Sequence, residues 1–228
     1  MSGLSMAMRD GMAEITLNDG KVNALSQVMI DYLLAALDQA AQVDCAVLIV
    51  GREGIFSAGY DRKLIDAGGP ARDAMRAAGD RLTLALLDYP APVVIASTGH
   101  CMAKAAFMLL LADYRLGADG AFRTGLNEVA IGMSMPPAAM QLAKERIAPQ
   151  WLSRCALQAE SLDPEQALQA GFLDELAAPE QLLDKARARL AQLAALDRKA
   201  YRETRQLMNA GLRERVLPLL NLPLVSQG

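Results

Sequence analysis

The chain has 228 residues, 53% of them hydrophobic, enough to fill the core of one generous domain, so disorder is not expected. A formal net charge of −3 gives no electrostatic reason for binding nucleic acid or an anionic membrane. With one histidine, His100, a multi-histidine metal site is excluded and a Ser-His-Asp triad can be built in one way at most. The odd, well-separated Cys45, Cys101 and Cys155 show no metal spacing and read as reduced thiols.

The N-terminal stretch lacks a basic start followed by an apolar core, and no window approaches the ~20 apolar residues of a membrane span. A soluble, cytoplasmic protein is therefore expected. Alternation from Ala13 to Leu17 predicts a strand, ended by the turn signal Asn18-Asp19-Gly20. Ser26 is placed to cap a helix over Gln27 to Val43, and the unbroken apolar run Cys45 to Val50 predicts a strand buried on both faces. Phe56 to Lys63, reading FSAGYDRK, leaves an apolar run and turns sharply into a helix that Asp61 can cap. A helix over Arg72 to Leu87 leads through the Pro90 and Pro92 boundary to a strand at Val93 to Ala96. Gly99 to Gly117 turns into a helix over Ala103 to Ala112 and then a strand at Tyr114 to Leu116. Repeated strand-helix-strand units imply an α/β core. Beyond about Met135 the pattern is helical, with helices predicted at Ala138 to Ile147, Pro149 to Gln158, Pro164 to Ala170 and Pro179 to Leu196, and one short strand near Leu173 to Leu176. The amphipathic, Arg-rich segment Arg198 to Leu212 is suited to cover the core or a neighbouring subunit.

The turns after Phe56 and Gly99 carry the chemistry. A helix start exposes backbone N–H groups that no intrahelical carbonyl satisfies. Two such starts facing each other can hold one oxygen anion, which selects substrates whose carbonyl gains negative charge as they react. Glu128, in Leu126-Asn127-Glu128-Val129-Ala130-Ile131-Gly132, is the carboxylate chosen to move the proton; that role requires an apolar surround and a raised pKa. Phe107, at helical spacing with Leu110 and Leu111, reads as core. His100 reads as structural, and Met102, Met133 and Met135 are candidates to line an adaptable pocket.

FSAGYD, a Gly-initiated apolar helix ending in Asp113-Tyr114-Arg115, and NEVAIG, in that order and spacing, resemble the crotonase superfamily of enoyl-CoA hydratases and isomerases. The resemblance extends from AEITLNDGKVNALS to Ala170–Asp174. It implies a crotonase-like ββα spiral as an α/β core over residues 1–195, and a shortened helical oligomerisation region over 196–228. It also implies a homotrimer or hexamer and an acyl-CoA thioester substrate, with no metal or redox cofactor. By the same resemblance, the oxyanion donors are the backbone N–H groups of Tyr60 and Lys104, and Glu128 is catalytic. Ala58 and Asp61 then belong to the substrate site, and Lys21, Arg62 and Lys63 are the cations available to coenzyme A phosphates.

Three departures sharpen the expectation. Phe107 stands where hydratases of the superfamily carry a first glutamate, and a phenyl ring cannot take a proton. Ala103-Lys104-Ala105 replaces a run of glycines. The chain stops soon after Leu222-Pro223, short of the closing helices of many relatives. Single-glutamate members include isomerases that remove an α-proton and return it at the γ-carbon, so double-bond isomerisation of an enoyl-CoA is the expected reaction. The alternatives are an enoyl-CoA hydratase of fatty-acid degradation and a non-catalytic acyl-CoA-binding subunit.

Overall fold

The computed structural model describes residues 3–221; the terminal Leu222-Pro223 lies outside them. Strands β1 (Leu4–Arg9) and β2 (Met12–Leu17) pair antiparallel across Asp10-Gly11. Both turn residues take positive φ, 49° and 73°, the backbone that a two-residue hairpin requires. The chain then alternates through α1 (Gln27–Gln42), β3 (Ala46–Val50), β4 (Gly54–Ser57), α2 (Arg62–Ala67), α3 (Gly69–Leu87), β5 (Val93–Ser97), β6 (Gly99–Met102), α4 (Lys104–Leu109), β7 (Tyr114–Ala118) and β8 (Thr124–Gly125). A 3₁₀ turn at Val129–Ile131 leads to α5 (Pro137–Arg146), α6 (Pro149–Ala156), α7 (Pro164–Ala170), β9 (Glu175–Ala177), α8 (Pro179–Ala194) and α9 (Arg198–Val216).

The strands form two sheets. The larger has the order β1-β2-β3-β5-β7-β9, parallel from β2 onward, and the smaller the order β4-β6-β8, parallel throughout. All five residues of β3 are buried because the larger sheet is covered on both sides. Val47 and Ile49 face a core shared with α1, α3 and α4, while Leu48 and Val50 face Leu182, Ala186 and Leu190 of α8. Burial of each such side chain contributes about 1.5–3 kcal/mol, so this central strand anchors both layers.

The predicted helix over Ala103 to Ala112 is shorter than expected. Leu111 N donates to Met108 O and Ala112 N to Leu109 O, both at 3.1 Å, so its end tightens into i→i−3 closures before β7. The segment expected to cover the core does so: Arg205 of α9, 6% exposed, pairs with Asp113 at 2.7 Å and donates to the carbonyls of Leu86, Leu87 and Tyr89. The last strand is β9, displaced toward Ala177 from its predicted position because it pairs with Leu116–Ala118 of β7.

Candidate active site

The small sheet assembles the site. Ser57 of β4 is in register with Cys101 of β6, and Cys101 with Thr124 of β8. Three adjacent parallel strands therefore end side by side, and each releases one site segment: β4 leads to Tyr60, β6 to Lys104 and β8 to Glu128. Ligands in sheets of this kind gather at the carboxyl ends of the strands.

The first two segments touch. Gly59 has φ +83°, and a Cβ placed there would lie 2.8 Å from Met102 O and 3.2 Å from Lys104 N, so only glycine allows this approach. The turn is held by Leu25 N donating to Gly59 O at 2.8 Å and by Gly59 N donating to Ser57 Oγ at 3.1 Å. Buried Asn23 fixes the end of β4 by donating to Phe56 O at 3.0 Å. On the facing strand, Ala103 N donates to Gly125 O at 2.8 Å, and Ala103 takes φ 51° and ψ −125°, a strained conformation for a residue with a Cβ. Neither Tyr60 N–H nor Lys104 N–H has an acceptor among the described residues. Both donors are free to bind a negatively charged oxygen.

Tyr60, Lys104, Phe107 and Glu128 line one cavity of about 60 Å³, with Leu142 of α5 behind them. Glu128 is 7% exposed and its Oε2 has no hydrogen-bond partner among the described residues. Burial raises the pKa of its carboxyl, opposed only by a hydrogen bond from its own backbone. Phe107, 4% exposed, belongs to the core and also to this cavity wall. The Tyr60 hydroxyl enters a notch left by Gly79 of α3, and burial, then Asp80, raises its pKa, so the phenol stays protonated.

The sequence did not reveal the side chain of Lys104, whose backbone alone was assigned a role. It is 8% exposed, with Nζ 2.5 Å from Thr83 Oγ1 and 5.9 Å from the centre of the Tyr60 ring. Burial lowers its pKa to about 8, against a smaller raising effect of Asp80. Arg76, Asp80 and Thr83 of α3 also face the cavity. Their i, i+4, i+7 spacing, a polar stripe beside buried Met75, Ala78 and Leu82, is the signal that could have found them.

The remaining candidates lie outside the cavity. Lys21, Arg62 and Lys63 are exposed, Arg62 pairs with Asp66 at 2.6 Å, and Asp61 caps α2 by accepting from Lys63 N at 2.9 Å. Exposed Ala58 donates its N–H to Val22 O at 3.0 Å, which brings the Lys21 loop to the turn. Met102, Met133 and Met135 are not among the lining residues. His100 has a structural setting: its Nδ1 accepts from Arg123 N at 3.1 Å and its ring meets Phe122 edge-on at 5.6 Å. Among the described residues there is no cluster of metal-ligating side chains and no helix long and apolar enough to cross a membrane.

Parallel strand ends that set two free N–H groups and a buried carboxylate around one cavity place the protein in the crotonase class. The chain belongs to the enoyl-CoA hydratase/isomerase family, whose sequence model matches residues 7–220. An enoyl-CoA hydratase/isomerase family protein of Pseudomonas syringae superposes with a TM-score of 0.93 at 40% identity, over 96% of this chain and 95% of that one. One Mycobacterium tuberculosis protein, described in one solved structure as an enoyl-CoA isomerase and in another as a probable enoyl-CoA hydratase, EchA3, superposes at 0.91 and 0.92 with 35% and 36% identity, over 96% of this chain and 96% and 93% of those chains. A probable enoyl-CoA hydratase, EchA17 of Mycobacterium avium, is 29% identical over 182 residues, 78% of this chain and 70% of the relative.

Proposed function

We propose that the protein is an enoyl-CoA isomerase that moves a proton with one carboxylate. The thioester oxygen of a 3-enoyl-CoA accepts from Tyr60 N–H and Lys104 N–H. Glu128, ionised, removes an α-proton, and the electron pair of that C–H bond passes into a dienolate whose charge rests on the bound oxygen. The Glu128 carboxylic acid then returns the proton to the γ-carbon, leaving the double bond between the α- and β-carbons. Atoms balance without metal, redox cofactor or water. Coenzyme A is part of the substrate, and exposed Lys21 and Lys63, with Ala58 and Asp61 on the turn that the Lys21 loop reaches, are the proposed contacts for its polar portion outside the cavity.

The observation that carries this reading is Glu128 itself: buried, unpartnered at Oε2, and sharing its cavity with Phe107 where hydration calls for a second glutamate. The family includes proteins named as hydratases and as isomerases, so the test must separate the two. In D₂O, wild type should place deuterium at the α- and γ-carbons of trans-3-hexenoyl-CoA, and Glu128→Gln should lower that rate by about 10²–10⁴-fold. A product heavier by one water would assign hydration instead. A bound thioester that exchanges no proton would assign a binding role.

A further inference from the structure

The two walls of the cavity differ in chemistry. Phe107 with Ala138, Ala139 and Leu142 is apolar, whereas α3 presents Arg76, Asp80 and Thr83, and Lys104 reaches across to them. Thr83 Oγ1 lies 3.0 Å from Gly79 O and 2.5 Å from Lys104 Nζ. A hydroxyl has one proton, and Thr83 gives it to the Gly79 carbonyl, so Thr83 accepts from Lys104. Two further ammonium protons then have no protein acceptor among the described residues. Asp80 acts on Lys104 through space but forms no ion pair with it, and its Oδ2 receives Asn221 N at 2.9 Å and Asn221 Nδ2 at 3.2 Å. Arg76, half-buried on the same wall, has no ion-pair partner among the described residues. A buried cation with unsatisfied donors is costly unless a ligand completes it.

Resting on the acyl-CoA reading above, we propose that this wall recognises the far end of the acyl group and selects short enoyl thioesters that end in a carboxylate, with Lys104 Nζ as the principal specificity determinant. A hydroxyl would need one donor, whereas a carboxylate takes both spare ammonium protons and has room for the Arg76 guanidinium. The pKa of about 8 leaves most Lys104 charged at neutral pH, as anion binding requires. Length is limited by the wall itself: Arg76, Asp80, Thr83 and Lys104 line the same small cavity, of about 60 Å³, as Glu128 and Phe107, so the chain end meets polar groups close to the reacting carbons.

The test compares trans-3-hexenedioyl-CoA with trans-3-hexenoyl-CoA, which differ only in the terminal carboxylate, on the full chain. Wild type should favour the diacid by about tenfold or more in kcat/KM, mainly through KM, and Lys104→Met should lower that ratio by a similar factor or more. Lys104→Arg, which keeps the cation, should retain most of the preference, and thermal unfolding checks that each variant is folded. Preference for the methyl-ended substrate, or an equal loss on both substrates in Lys104→Met, overturns the proposal. Should neither substrate react, the isomerase reading fails while selectivity is still read by calorimetry with adipoyl-CoA and hexanoyl-CoA. Tighter adipoyl-CoA binding that Lys104→Met abolishes upholds the proposal, and equal or weaker adipoyl-CoA binding overturns it.

Discussion

At the scale of single residues, Glu128 is a source of instability that the proposed chemistry explains. Its carboxyl is raised by desolvation, so the folded chain holds the proton at pH values where the unfolded chain has released it. Below the ordinary glutamate value both states are protonated and burial is tolerated; as pH rises through the raised folded-state value, stability is lost. Replacing the carboxyl by an amide of similar shape removes that dependence. The unfolding temperature of Glu128→Gln minus that of wild type should therefore increase from pH 4 toward pH 8, while a flat difference would show that Glu128 is solvated in the folded protein. Glu128 was legible in the sequence because NEVAIG marks its position in a known family. The Lys104 side chain was not, because a lysine at a helix start usually points to solvent, and only the packing of α3 against α4 turns it inward.

At the scale of elements, long periodic helices and the apolar strand β3 were legible, whereas β1, β4, β6 and β8 were not. β1 is largely exposed and so lacks the buried face that alternation reveals in β2, while β4, β6 and β8, two to four residues long, are too short to show a period and exist through pairing between segments about 45 and 23 residues apart. The feature that gathers the site, three strand ends in register, is thus invisible along the chain. The role of α9 was read from its amphipathic pattern, but its anchor is polar. Arg205 and Asp113 have side chains 6% and 10% exposed, and Asp113 Oδ2 also accepts from Val93 N at 2.8 Å. Arg205→Met leaves the Asp113 charge buried without its cation and should cost about 3–5 kcal/mol, read as a lower urea midpoint. Adding Asp113→Asn should recover part of that loss; no recovery would mean that the bonds to Leu86, Leu87 and Tyr89 dominate.

At the scale of the whole molecule, two cores share one sheet, and the question is whether they unfold together. β3 contributes Val47 and Ile49 to one core and Leu48 and Val50 to the other, so neither can lose its packing while the other keeps a native strand. The C-terminal helix is tied into the larger core by Leu212 and Val216, and to the segment before β5 by Arg205. Asn209 adds a second polar tie, accepting from Arg146 of α5 at 2.5 Å and donating to Leu87 O at 3.3 Å. A boundary near residue 195, expected from the family resemblance, would then be one of chain organisation rather than of stability. Hydrogen exchange in rising denaturant measures this directly, because amides that open only with global unfolding converge on one free energy. Amides on the buried face of α9 should converge with those of β3, and Trp151 fluorescence should follow the same transition, since Trp151 lies in the larger core at 8% exposed. Earlier release of α9 would instead make residues 196–221 a separate unit of stability, and would place the weak point of the molecule at the Arg205 anchor, leaving the three strand ends that hold the site intact.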